Sequence, residues 1–349
     1  SAAQRAWIFL ELLRQAGIDG VMLATGDPAA GPPRPWLPAA IVGGEAYLFD
    51  PAYGMAIPGP GGAGVATARQ AAADPAVLAA VSLPDRAYPV QAAAAGRLTV
   101  LVAADPWCLS RRMADLAAVL GATREERLAL DASALAERAR AAVPEAAAVG
   151  LWSFPWETLA RRRDVAATAA MLGRELSPLA VTYAEHRDGQ RGPPRLVRPL
   201  WAARVREFRG DLDGPDGAKA AYLMARPSRQ VIAEAVAATP PQQAEARRRL
   251  YGEMKEDATY WLGLLTLAEG EHEAAVDYLE RMTLVAAPDS RWTDAARLAL
   301  ADAFLALGRE AEAVKLLRED QSPQRFGSRL RAEALARKRP AAAASGPEN

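Results

Sequence analysis

The sequence predicts an α+β N-terminal domain, a helix plus antiparallel strands, followed by an all-α domain of helical repeats. Three observations carry that prediction. Apolar residues recur at helical spacing over residues 6–16 and then fall into short strand-like runs. Gly43-Gly44 parts two of those runs as a two-residue hairpin turn would, since both central positions accept positive φ. From residue 200 to about 336 the pattern is helical, and part of it repeats.

Taken in order, Ala6, Phe9, Leu10, Leu13 and Ala16 form one stripe, with Arg5, Glu11, Arg14 and Gln15 as its polar side. Gly17 stands where a left-handed residue ends a helix. Residues 21–24 read as a short buried strand, and the Gly- and Pro-rich residues 25–35 as a loop. The runs 36–42 and 46–49 make the hairpin. Residues 57–64 are turn punctuation, and Ala-rich helical sequence follows. Residues 98–102 fit either a strand or a buried helix, because so short an apolar run has no decisive period. Helical patterns fill roughly 110–143. Strand-like runs at 149–154 and 179–183 then surround a helix, with a Gly/Pro-rich loop at 188–194. Breaks at 210–217, 239–241, 287–290 and 321–323 divide the later helices. The polar stretch 337–349 is expected to be disordered. The chain is therefore read as a first domain 1–145, a mixed connecting region 146–199, helical repeats 200–337 and a tail 338–349.

Composition narrows the function. Over 349 residues, 51% apolar and 24% charged is the balance of a soluble globular chain. Lys plus Arg equals Asp plus Glu, 42 against 42, so no global field draws nucleic acid or an anionic membrane. Arg161-Arg162-Arg163 and Arg247-Arg248-Arg249 are read as solvated helix faces. Cys108 is the single cysteine, and His186 and His272 are the two histidines, so neither a disulfide nor a His/Cys metal centre is expected. The glycines of residues 59–64 lack the Lys-Ser/Thr that follows a phosphate-binding loop, and no cofactor is expected. No apolar run approaches the roughly 20 residues that span a bilayer. The chain starts at Ser1 without Met, which leaves the compartment open between cytoplasm and, after loss of an upstream signal, periplasm.

The repeat is specific. Leu262-Gly263, Ala268, Gly270, Ala275-Val276 and Leu279 are matched 38 residues on (262 to 300) by Leu300-Ala301, Ala306, Gly308, Ala313-Val314 and Leu317. With Trp261-Leu262-Gly263 this resembles the tetratricopeptide repeat, whose period is about 34 residues. Residues 212–223 look like the degenerate end of an earlier unit. The resemblance implies a concave face that holds a protein or peptide partner, and by repeat position Tyr260, Leu264, Leu298 and Asp302 would line it.

The opening segment, over about its first sixty residues, resembles the core of bacterial transglutaminase-like proteins of the papain-type fold. In that family a Cys begins a helix, with Ala, Arg and Gly-Ile at fixed distances after it, then His-Ala-Trp on a strand and Asp-Pro ending the next. Ala6, Arg14 and Gly17-Ile18 keep the spacing, Arg34-Pro35-Trp36 stands for the second motif and Asp50-Pro51 for the third. The resemblance places Ala2 at the nucleophile and Arg34 at the base. Alanine has no nucleophile, and a guanidinium stays protonated. Only the orienting Asp50 remains. It implies an inactive enzyme whose cleft, with Trp36 beside it, binds rather than reacts. Arg34 and Asp50 are expected either to form a bidentate ion pair locking the hairpin or to point into solvent independently.

Other residues read as structural. Cys108 is expected to be a buried, inert thiol, His186 and His272 to be solvated, and Trp152 and Trp156 to pack in a core. The reading that follows is a non-catalytic binding or scaffold protein. The alternative is a cysteine-dependent transamidase or peptidase with a relocated nucleophile, and a structural module of a larger assembly is not separated from the first reading.

Overall fold

The first helix begins where the sequence supplies its cap. In this computed structural model, which describes residues 1–26, 31–124, 130–144, 146–161, 165–185 and 195–343, Ser1 Oγ accepts from the Gln4 N–H while Gln4 Oε1 accepts from the Ser1 amine. The helix α1 spans Ala2–Gln15. Two units are distinct: Ser1–Arg163 with Pro323–Leu330, and Asp164–Ser322 with Arg331–Asn349. The change-over near residue 163 falls inside the stretch read as a connecting region.

In the first unit α1 leads into β1 (Asp19–Thr25), β2 (Arg34–Val42), β3 (Glu45–Asp50) and β4 (Met55–Ala56), antiparallel neighbours in turn. The strand β5 (Thr99–Val102) pairs antiparallel with β1, and β6 (Ala148–Leu151) runs parallel to β5, giving the order β4-β3-β2-β1-β5-β6. Gly43 and Gly44, at φ 59° and 79°, make the expected two-residue turn between β2 and β3. Short helices α2 (Ala68–Ala73), α3 (Pro75–Ala79) and α4 (Ala92–Ala95) follow β4. Then α5 (Arg111–Arg124) and α6 (Ala132–Ala142) cross from β5 to β6, and α7 (Ser153–Arg161) ends the run.

Strand alternation sorts the core into two faces. Val21, Leu23, Leu37, Ala39, Leu48, Val100 and Val102 point one way, into a cluster with α2, α3 and α6. Met22, Ala24 and Leu101 point the other way, onto Ala6 and Leu10 of α1. Buried on both sides, β1 reads as an unbroken apolar run rather than an alternating one. Burying Leu10, 3% exposed, contributes about 1.5–3 kcal/mol. Arg14 Nη2 donates to the Ala103 carbonyl at 2.8 Å, fixing the other end of the helix. The returning segment Pro323–Leu330 fits closely here: Phe326 meets Tyr53 at 5.8 Å between ring centres, and Arg329 holds Asp85 with bonds of 2.8 and 3.1 Å.

The second unit opens with α8 (Val165–Leu176), a 3₁₀ turn (Ser177–Ala180) and the antiparallel pair β7 (Tyr183–Glu185) and β8 (Arg195–Val197). Helices then continue: α9 (Pro199–Arg209), α10 (Ala218–Met224), α11 (Arg229–Ala237), α12 (Pro241–Ala268), α13 (His272–Val276) running into a π-helical stretch (Asp277–Val285), α14 (Thr293–Ala306), α15 (Glu310–Arg318) and α16 (Arg325–Ala343). The matched repeat positions Leu262 and Leu300, Gly263 and Ala301, Ala275 and Ala313, Leu279 and Leu317 are all buried. A Cβ on Gly263 would lie 2.9 Å from Leu279 Cδ2, so glycine sets how closely α12 approaches the helix that follows it. Asp257, 3% exposed, accepts from Trp292 Nε1 at 2.7 Å and takes a two-pronged bond from Arg291. Burial raises the Asp257 pKa, and the Trp292 and Arg291 donors pull it back.

Several sequence expectations are corrected. Thr25, Arg34 and Pro35, assigned to a loop, are strand residues. Pro35 and Pro38 are tolerated because the β2–β3 ladder begins only at Ala39, so no bond on that side is lost. The run 98–102, left open between strand and helix, is strand over Thr99–Val102. The strand at 149–154 ends at Leu151, since α7 starts at Ser153, and 179–183 divides between the 3₁₀ turn and β7. The tail is helical to Ala343, with 344–349 outside the described residues, as is the loop 188–194.

Candidate functional site

Among the described residues no hydrogen bond or ion pair joins the three positions of the resembled triad, although Arg5 Nε of α1 donates to the Pro51 carbonyl at 2.7 Å. Ala2 opens α1 on one face of the sheet. Asp50 shares the opposite face with Leu48 by strand parity, while Phe49, between them, meets Phe9 of α1 at 4.8 Å. Arg34 is exposed on β2, paired across from Thr25.

Asp50 is 5% exposed and fully engaged. Its Oδ1 accepts from the Ala52 and Tyr53 N–H groups at 2.7 and 3.1 Å, and its Oδ2 accepts from the Tyr88 hydroxyl at 2.7 Å. Trp36 Nε1 in turn donates to the Tyr88 oxygen at 3.0 Å. The expected Arg34–Asp50 ion pair is therefore replaced by a Trp36–Tyr88–Asp50 chain, because the carboxylate's strand face looks into the core. Burial, and then the Asp50 charge, pushes the Tyr88 pKa far up, so the phenol stays protonated and is no base. Trp36 is a half-buried structural donor. Two substitutions separate these roles. Asp50→Ala strands three donors and is expected to cost about 2–3 kcal/mol in urea unfolding, whereas Arg34→Ala stays within about 0.5 kcal/mol. Equal losses would restore the ion pair.

Cys108 lies in a 3₁₀ turn (Pro106–Leu109) and is half-exposed, not buried as expected. It borders a cavity of about 740 Å³ with Ser110, Arg111, Asp131 and Ser133. Asp131 Oδ1 already caps α6 through the Ala134 N–H at 2.9 Å. Both histidines belong to the second unit's sequence: His186 lies outside the described residues, and His272 is half-buried with Nδ1 buried and unpartnered among them, not solvated. Trp152 is core, at 4% exposure and 5.3 Å from Phe154, whereas Trp156 is exposed. Arg247, Arg248 and Arg249 are exposed on α12 as expected, and Arg162 and Arg163 lie outside the described residues.

On the repeats, Tyr260 is 6% exposed and stacked on Trp292 at 4.4 Å, which makes it a core residue rather than a partner-facing one. Leu264 and Leu298 are half-buried against the same cluster. Asp302 is exposed but bonded to Arg331 Nη2 at 2.5 Å. Packing of α16's Ala332 and Leu335 into this cluster explains why these positions do not form an open face.

A different surface of the second unit is open. A groove of about 530 Å³ lies among β8, the first turns of α9, and α10. Leu196, Trp201 and Met224 line it at 70%, 53% and 44% exposure, three large apolar side chains from three elements. Arg198, Arg206 and Asp216 supply its charge. Sequence reasoning absorbed these residues into helix and loop. Among the described residues no group of His, Cys, Asp or Glu could hold a metal ion, and no helix is long and apolar enough to cross a membrane. No family model matches the chain, and neither curated proteins nor solved structures include one similar to it.

Proposed function

We propose that the chain is a non-catalytic protein-binding scaffold: a transglutaminase-like unit without nucleophile and base, joined to a tetratricopeptide-like unit that docks a peptide in the β8–α9–α10 groove. The observation that carries this reading is the exposure of Leu196, Trp201 and Met224 around one concave surface. Single exposed apolar residues are ordinary, but several converging on a groove mark a docking site. The replaced positions Ala2 and Arg34, and the inward-facing Asp50, support the non-catalytic half. Selection of random displayed peptides on the full chain, repeated with Trp201→Asp, tests the groove. Peptides that bind the parent and lose at least about tenfold in affinity on the variant are expected. Equal binding by both would remove the groove from the account.

One observation favours the relocated-nucleophile alternative, the half-exposed thiol of Cys108 beside a cavity. Amine-incorporation and peptide-hydrolysis assays decide it. The scaffold reading expects parent and Cys108→Ala to match background, because among the described residues no histidine lines the cavity beside the thiol. Activity lost in Cys108→Ala would make the chain an enzyme.

A further inference from the structure

We infer that the groove's occupant is an apolar peptide segment flanked by acidic side chains. The inference rests on the reading of the groove as a docking site and adds the chemistry of its partner. Three charged side chains line the groove, Arg198, Arg206 and Asp216, leaving it net positive. None of the three forms an ion pair among the described residues, unlike their neighbours Arg204, held by Glu207 at 2.6 Å, and Lys219, held by Glu269 at 2.7 Å. Arg206 makes one long bond of 3.4 Å to the Gly217 carbonyl, and Arg198 is exposed. Among the described residues Arg204 and Lys219 beside the groove are ion-paired, whereas Arg198 and Arg206 inside it are not.

The helix terminus adds to this. The groove wall includes Pro199, Trp201 and Ala202, the first turn of α9, and this helix has no side-chain cap. Pro199 opens α9 without an N–H of its own, so the helix adds the positive end of its dipole beside Arg198, while Arg206 stands in the last turn. Leu196, Trp201 and Met224 supply the apolar floor and lip. A peptide with apolar residues at its centre and Asp or Glu beside them satisfies both sets, the apolar centre giving affinity and the carboxylates register and on-rate.

The test uses the full chain and labelled peptides that share one apolar centre and carry flanking Asp/Glu, Ser or Lys, all amidated so that no terminal carboxylate contributes. The acidic peptide is expected to bind about tenfold more tightly than the Ser peptide. That margin should shrink at high salt and in Arg198→Gln and Arg206→Gln, while Trp201→Ala weakens all three. Equal binding of acidic and Ser peptides, with Trp201→Ala still weakening both, overturns the charge inference and leaves the docking site. No peptide binding sensitive to Trp201→Ala overturns both. Binding of phosphatidylserine vesicles, abolished by the arginine variants with no preference among peptides, overturns the inference in favour of a membrane surface.

Discussion

Gly327→Ala is expected to destabilise the chain by about 3 kcal/mol, a fall of roughly 6–12 °C in Tm if the first unit unfolds cooperatively. The reason is steric. A Cβ at Gly327 would overlap the Tyr53 carbonyl oxygen and lie 2.8 Å from its carbonyl carbon, and backbone cannot swing aside as a side chain can. The sign is diagnostic because Gly327 sits in a helix, where alanine is intrinsically better than glycine by about 1 kcal/mol. Gly173→Ala is the control. It too lies in a helix, with nothing within 4 Å of its Cβ, and should be neutral or stabilising by up to about 1 kcal/mol. If Gly327→Ala stabilises as Gly173→Ala does, the segment Pro323–Leu330 does not pack on Tyr53.

The second large effect is in the other unit. Asp257→Ala removes the acceptor for the Trp292 indole N–H and for Arg291 Nε and Nη2, with Asp257 at 3% exposure. The expected cost is about 3 kcal/mol, mostly from donors left without partners. Arg291 keeps one partner, Glu175 at 3.0 Å, which holds the loss below that of a fully buried pair. Asp257→Asn keeps an acceptor oxygen for the indole and should recover about half of the loss. Urea unfolding followed by tryptophan emission measures both. An Asp257→Ala variant as stable as the parent would mean that the cluster does not form.

Local chemistry explains what the sequence disclosed. The helix, strand and hairpin of residues 2–50 are written in nearest-neighbour terms: a stripe at 3.6 spacing, a buried run, two glycines able to take positive φ. Gly- and Pro-marked breaks likewise place the ends of α9, α12 and α14. The rest depends on partners far along the chain. Whether Asp50 faces α1 or the core turns on strand parity, and β2 carries a register shift opposite Leu23 and Ala24 that no local pattern announces. Tyr260 looks partner-facing by repeat position until Trp292, 32 residues on (260 to 292), stacks on it. The groove left one legible trace. Leu200 and Ala203 form the buried stripe of α9, and Trp201, Val205 and Phe208 form a second at i, i+4 and i+7. Two apolar stripes on a short helix leave one facing outward, with Phe208 at 92% exposure and Trp201 at 53%, and of that second stripe Trp201 lines the groove.

Hydrogen exchange of the full chain, with and without a saturating apolar peptide flanked by acidic residues, tests the docking surface most directly. The account predicts slowed exchange at β8 and in the first turns of α9 and α10, with the rest of the chain unchanged. Slowing centred on residues 45–56 or 260–302 instead, with the groove untouched, would contradict it.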